Sequence, residues 1–219
     1  WSSDVCSSDL TQVKTVIPFY EKWVNTLPTI GSVAISNIDL LLKLWEGLGY
    51  YARARNLHRA ARIVVEQFGG QIPGSDEELR QLPGIGQYTA AAIRAIAFRQ
   101  DALALEGNLR RVLTRLYDIH LDPRKPEGQK AIARQVMSAL PRGKASEYNQ
   151  ALMDLGALIC KPRSPLCGNC PVADHCLALR NGTQELLPLR RPSLPLPHRK
   201  AVRSEEHRLN SSHLVISYA

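Results

Sequence analysis

Four of the five cysteines in this 219-residue chain fall within CKPRSPLCGNCPVADHC, residues 160–176. They are Cys160, Cys167, Cys170 and Cys176, spaced C-x6-C-x2-C-x5-C. Thiols this crowded oblige the surrounding chain to fold around one shared point. Disulfides suit oxidising compartments. Zinc modules usually carry two C-x2–4-C pairs separated by a longer stretch. A long first gap followed by C-x2-C suits wrapping one compact iron–sulfur cube. From the ligands alone, zinc and iron–sulfur both stay open.

Hydrophobic content of 44% and charged content of 22% are ordinary for a globular protein. No apolar run reaches the length of a membrane span, and no basic-then-apolar leader opens the sequence. These features point to a reducing cytosol, where clustered cysteines are more often metal ligands. The net charge of +8 favours a polyanionic partner, since lysine and arginine release counterions from phosphates.

Both ends read as foreign. WSSDVCSSDL (1–10) and RSEEHRLNSSHLVISYA (203–219) resemble translated sequencing adapter. One DNA word, AGATCGGAAGAG, encodes Arg203 to Glu206, and its reverse complement encodes Ser7 to Leu10. Setting both ends aside leaves 26 basic against 16 acidic residues, which sharpens the charge.

Between them, apolar residues recur at helical spacing over 11–26 (with Pro18 inside), 38–51, 52–68, 87–98, 107–117, 127–140 and 146–159, and 76–81 reads as a short helix that stops at LPGIG. No strand or hairpin-of-strands signal emerges. The expected fold is all-α. After the cysteines, LPLRRPSLPLPHRK (187–200) has the composition of an extended basic, Pro-rich linker.

LPGIGQYTAAAIRAIAF (82–98) adds a second strong constraint. Gly84 and Gly86 permit a tight turn, and a helix starts directly after it. The first N–H groups of that helix lack internal partners and meet the positive end of its dipole, which suits a phosphate. Such a contact grips a nucleic-acid backbone without reading bases.

Together with LWEGLGYYARARNLHRAA (44–61) and EYNQALMDLGALIC (147–160), these stretches resemble the adenine DNA glycosylase (MutY) branch of the iron–sulfur helix–hairpin–helix DNA glycosylases. The resemblance runs from Thr11 to about Leu189. It implies a six-helix helix–hairpin–helix domain (11–105, incomplete at its start) and an iron–sulfur domain (106–182). A linker (183–202) would lead to a further domain. It also implies a [4Fe–4S] cluster on the four cysteines, with a structural role holding Lys161 and Arg163 toward DNA. The partner would be double-stranded DNA containing a mismatch, bound by a monomer in the cytoplasm.

Excising a base breaks an N-glycosidic bond through an oxocarbenium-like transition state, after the nucleotide has left the stack. That chemistry asks for a carboxylate beside the sugar and an acid for the departing base. The resemblance puts the carboxylate in ALALEGNLRRVL (102–113) at Glu106, where the family has aspartate. The extra methylene adds about 1.5 Å of reach. Asn108 matches a position that orients this carboxylate by hydrogen bonding. Tyr88 stands where strand-cleaving relatives have lysine; a phenol forms no Schiff base, so the implied activity is monofunctional. Gln12 and Tyr50 fall on the expected DNA-wedging surface. The family's general-acid glutamate maps to Val5, so this chain is expected to protonate adenine poorly. Two rival readings remain: a thymine–guanine mismatch glycosylase, and a non-catalytic iron–sulfur DNA-binding module.

Overall fold

A computed structural model describes residues 13–189; the two adapter-like stretches, Gln12 and the chain from 190 onward lie outside the described residues. Among the described residues every regular element is helical, as the periodicity implies. The α-helices are α1 (Val13–Thr26), α2 (Ile30–Ile35), α3 (Ile38–Trp45), α4 (Tyr51–Phe68), α5 (Asp76–Gln81), α6 (Gln87–Ile96), α7 (Gly107–Leu116), α8 (Pro126–Ala139), α9 (Ala145–Leu158) and α10 (Leu177–Arg180). Two single-turn 3-10 helices, Cys167–Asn169 and Ala173–His175, separate α9 from α10.

Local chemistry sets the boundaries. The Thr29 side chain accepts from Ser32 N while Ser32 Oγ accepts from Thr29 N, a reciprocal capping box that starts α2. Asn37 caps α3 through Asp39 N, and Ser75 caps α5 through Glu78 N. The α4 helix ends where Gly69 turns left-handed at φ +60°, letting Gly70 N–H reach the Val64 carbonyl. The expected helix over 38–51 is shorter in the structure. It stops at Trp45, because Gly47, Gly49 and Tyr50 all take positive φ before α4 begins.

Packing follows the apolar stripes. Leu41 and Leu44 of α3, Val33 of α2 and Ala54 and Ala61 of α4 form one core, edged by Trp23 and Trp45 in a T-shaped contact at 5.8 Å. Val64, Leu79, Leu82 and Ala90 form a second, which binds α4 to the turn between α5 and α6. Leu109, Val112 and Leu113 of α7 pack with Ile132, Val136 and Leu152 of α8 and α9 in a third. Each fully buried leucine contributes about 1.5–3 kcal/mol relative to exposure. A fourth cluster of alanines, including Ala91, Ala95, Ala102 and Ala104, seats α6 and the connection to α7 against α9. Small residues there let backbones approach, and this brings the N-termini of α6 and α7 into one region.

Candidate active site and metal centre

The turn 82–86 joins α5 to α6 with the geometry a phosphate cradle needs. Gly84 sits at φ +81°, and a Cβ there would lie 2.9 Å from the Asn56 Cβ, so both conformation and space require glycine. Gly86, by contrast, is extended at φ −91° and faces open space. No side chain caps α6, so the N–H groups of its first turn are presented outward. Tyr88 stands on that first turn with 40% of its surface exposed.

Glu106 is the N-cap of α7. Its Oε1 accepts from Asn108 N at 2.7 Å and Leu109 N at 3.2 Å. The carboxylate thus sits at the positive end of a helix, held by main-chain donors. Tyr88 lies in its field: burial, and after it the Glu106 charge, push the phenol above its ordinary value. The two residues expected to share a site are therefore brought together.

Asn108 contributes differently from the expectation. Its main-chain N–H bonds Glu106, whereas its side-chain Oδ1 accepts from Arg111 Nη2 at 2.7 Å. The reason is steric and electrostatic. A Cβ built on Gly156 would meet the Asn108 Cβ at 2.7 Å, so α9 presses against this turn. Buried Arg111 also needs acceptors: it donates to the carbonyls of Gly156 at 2.8 Å and Cys160 at 2.7 Å. Burial lowers the Arg111 pKa, with neighbouring Arg115 adding to that and Cys160 and Glu106 opposing it.

Cys160, Cys167, Cys170 and Cys176 are all unpaired and line a single cavity together with apolar side chains such as Val112 and Leu155. Burial, then the other cysteines, raises the Cys167 thiol; burial is also the leading cause at Cys176. Two raised thiols, Cys167 and Cys176, in a cavity shared with two further cysteines suit a cationic group that takes them as thiolates. Arg115, only 2% exposed, donates from Nη1 to the Cys160 sulfur at 3.3 Å and to the Lys161 carbonyl at 2.7 Å. Its Nε donates to the Leu187 carbonyl at 2.8 Å, and Asn181 Nδ2 donates to Asp118 Oδ2 at 2.8 Å. These bonds close the segment after the cysteines onto α7. The residues present fit the cluster.

Lys161 and Arg163 are exposed on the loop between the first two cysteines, and Tyr50 is 53% exposed in a left-handed turn ahead of α4. Sequence reading missed Arg111, Arg115 and Asn149. All three are buried polar residues whose partners lie mostly 45 or more positions away, and Asn149 alone carried a signal, inside YNQALMDLGA.

Comparison with known proteins places this geometry. Residues 160–176 match the iron–sulfur binding domain of endonuclease III, a match that takes in all four cysteines and supports a [4Fe–4S] cluster as the cofactor. The adenine DNA glycosylase of Buchnera aphidicola subsp. Baizongia pistaciae is 41% identical over 181 residues, 83% of this chain and 51% of that protein. The human adenine DNA glycosylase is 41% identical over 188 residues, 85% of this chain and 34% of that protein. The chain thus spans about half or less of the length of these curated relatives. Among solved structures, a thermostable thymine-DNA glycosylase superposes with a TM-score of 0.68 at 27% identity, covering 80% of this chain and 82% of that one. A non-covalent endonuclease III–DNA complex shares the fold at a TM-score of 0.66 and 21% identity, over 81% of this chain and 83% of that one. Residues 6–138 match the family of HhH-GPD superfamily base excision DNA repair proteins, and the chain belongs to that superfamily.

Proposed function

We propose that this chain is the catalytic part of a monofunctional adenine DNA glycosylase, which hydrolyses the N-glycosidic bond of adenine mispaired with 8-oxoguanine or guanine. The observation that carries the reading is the pairing of a helix-capping carboxylate, Glu106, with the Tyr88 phenol in its field, beside an uncapped hairpin–helix turn. The strong likeness to adenine DNA glycosylases supports adenine as the substrate over thymine.

In this reading Gly84 and Gly86 let a DNA phosphate reach the first N–H groups of α6, while Lys161, Arg163, Tyr50 and Gln12 add contacts to the duplex. The mismatched adenine leaves the stack. Glu106 then stabilises the positive charge that develops on the deoxyribose, and water completes the hydrolysis. Tyr88 stays neutral and offers no amine, so the strand is left intact. The cluster supplies a rigid ligated anchor for the loop that bears Lys161 and Arg163. The family's general acid maps to Val5, which has no ionisable group, so base departure from the chain as written is slow. We propose the same division into 11–105 and 106–182, a monomer, and a cytoplasmic place of action on DNA; the separate α7–α9 core supports the division.

The test is single-turnover excision from duplexes holding adenine or thymine opposite 8-oxoguanine or guanine, using cluster-loaded protein with and without Val5→Glu. Faster adenine release on Val5→Glu supports the reading. Preferential thymine release, or tight binding without any excision in both forms, contradicts it.

A further inference from the structure

The connection 98–105 delivers Glu106 to the start of α7, and a buried side chain from α9 holds it at 102 and 104. Asn149, on α9, is 0% exposed. Its Oδ1 accepts from Ala104 N at 2.9 Å, and its Nδ2 donates to the carbonyls of Ala102 at 2.8 Å and Ala145 at 2.7 Å. The Ala104 carbonyl in turn accepts from Glu106 N at 2.9 Å. A continuous path therefore runs from the Asn149 amide through one residue, Ala104, to the backbone of the carboxylate residue. Elsewhere the connection is held by Gln100, bridging Arg94 and the Gly74 carbonyl, by Asp101, accepting from Gly143 N, and by Arg110, whose Nη2 donates to the Leu105 carbonyl at 3.0 Å. The first two lie more than three residues from Glu106 on the chain, and the third comes from α7 itself, so it does not tie the connection to α9.

We infer that Asn149 is a positioning residue for Glu106, a role that rests on reading Glu106 as the carboxylate beside the sugar. The amide has both a donor and an acceptor, and all three of its bonds are used on backbone groups that have no water to turn to. It fixes the height and direction at which residues 102–104 enter α7. Only with that entry fixed can Oε1 meet the two N–H groups of α7 and keep its charge near Tyr88. Neither a leucine of the same branching nor an aspartate of nearly the same volume reproduces the pattern: the first makes no bonds, and the second aims an acceptor at two carbonyls.

The test compares Asn149→Ala and Asn149→Asp with Leu41→Ala, a core truncation on α3 that destabilises the fold without touching 98–106. Two readouts need no activity: the titration of Tyr88, followed by NMR of isotope-labelled tyrosine Cζ in the cluster-loaded chain, and hydrogen exchange at the Asn108 and Leu109 amides. The inference expects Tyr88 to titrate at lower pH in the Asn149 variants, moving toward its value in Glu106→Gln. It expects the two amides to exchange at least about tenfold faster than in Leu41→Ala. Adenine excision should fall about a hundredfold with duplex affinity held within about threefold, the signature of a misplaced group. Should one Asn149 variant not fold, the other carries the comparison. An unmoved Tyr88 titration and unmoved amides, or equal movement in Leu41→Ala, overturns the inference. If instead Glu106→Gln excises normally, the functional reading fails while the Tyr88 and amide results still decide the role of Asn149.

Discussion

The Nη1 atom of Arg115 lies 3.3 Å from the Sγ of Cys160. Four residues earlier on α7, Arg111 donates to the Cys160 carbonyl and to the Asn108 side chain. One helix therefore carries the carboxylate at its start and two buried arginines that meet the first cluster ligand. Arg115→Met keeps most of the volume but removes the donor from the buried bond to the Leu187 carbonyl and from the part-buried bond to the Lys161 carbonyl. At about 1–3 kcal/mol for a buried group left unsatisfied, we expect a loss of about 1–3 kcal/mol and a substoichiometric cluster. Thermal melting and iron content per chain check this.

Glu106→Asp should leave the cap intact, since aspartate is a favoured N-cap and the change is worth no more than about 1 kcal/mol. The shorter arm draws the charge back toward the family's position. We expect single-turnover excision to rise by about tenfold or more, given the cost of misplacement by ~1 Å. The measurement is the excision rate beside an unchanged melting curve.

Tyr88 gives a pH signature. Its phenol is raised first by burial and then by Glu106. Between the unfolded value near ~10 and the higher folded one, the unfolded chain has released a proton that the folded chain keeps. The Tyr88 contribution to stability is therefore whole below that window and falls as pH rises through it. Glu106→Gln removes the smaller cause, so the Tyr88 titration should move down yet stay above the ordinary value. Tyrosinate absorbance, with Tyr88→Phe as the blank, measures the shift.

The two hairpin glycines should separate stability from binding. Gly84→Ala forces a side chain into a left-handed turn against Asn56, costing about 1–2 kcal/mol for conformation alone. Gly86→Ala fits its backbone and open surroundings, so folding should change by less than about 1 kcal/mol. Its methyl nevertheless stands where a phosphate approaches, and duplex affinity should fall by about tenfold. Urea melts and a salt titration of duplex binding distinguish the two.

The long helices were legible because each carries an apolar stripe of three or more turns. α2 escaped notice: six residues hold too few turns for periodicity, and only its Thr29–Ser32 box marks it, whereas the equally short α5 is betrayed by the LPGIG turn that stops it. α10 and the two 3-10 turns were equally silent, since each is too short to carry a repeating apolar pattern. At the site, the hairpin glycines announce themselves by residue type and spacing, and Glu106 and Tyr88 through the family resemblance. Arg111, Arg115 and Asn149 do not. An arginine reads as a surface charge until the fold supplies carbonyls from α9 and the cysteine loop to bury it against. Asn108 does hydrogen-bond Glu106, through its main-chain N–H, while its side chain accepts from Arg111, a partner that only the fold reveals.

The account stands on the carboxylate of Glu106. Its most direct test is single-turnover release of adenine opposite 8-oxoguanine by cluster-loaded protein carrying Val5→Glu, with and without Glu106→Gln. The account predicts a rate lower by about a hundredfold or more in the Gln variant, with the duplex bound as before. An undiminished rate in that variant contradicts it.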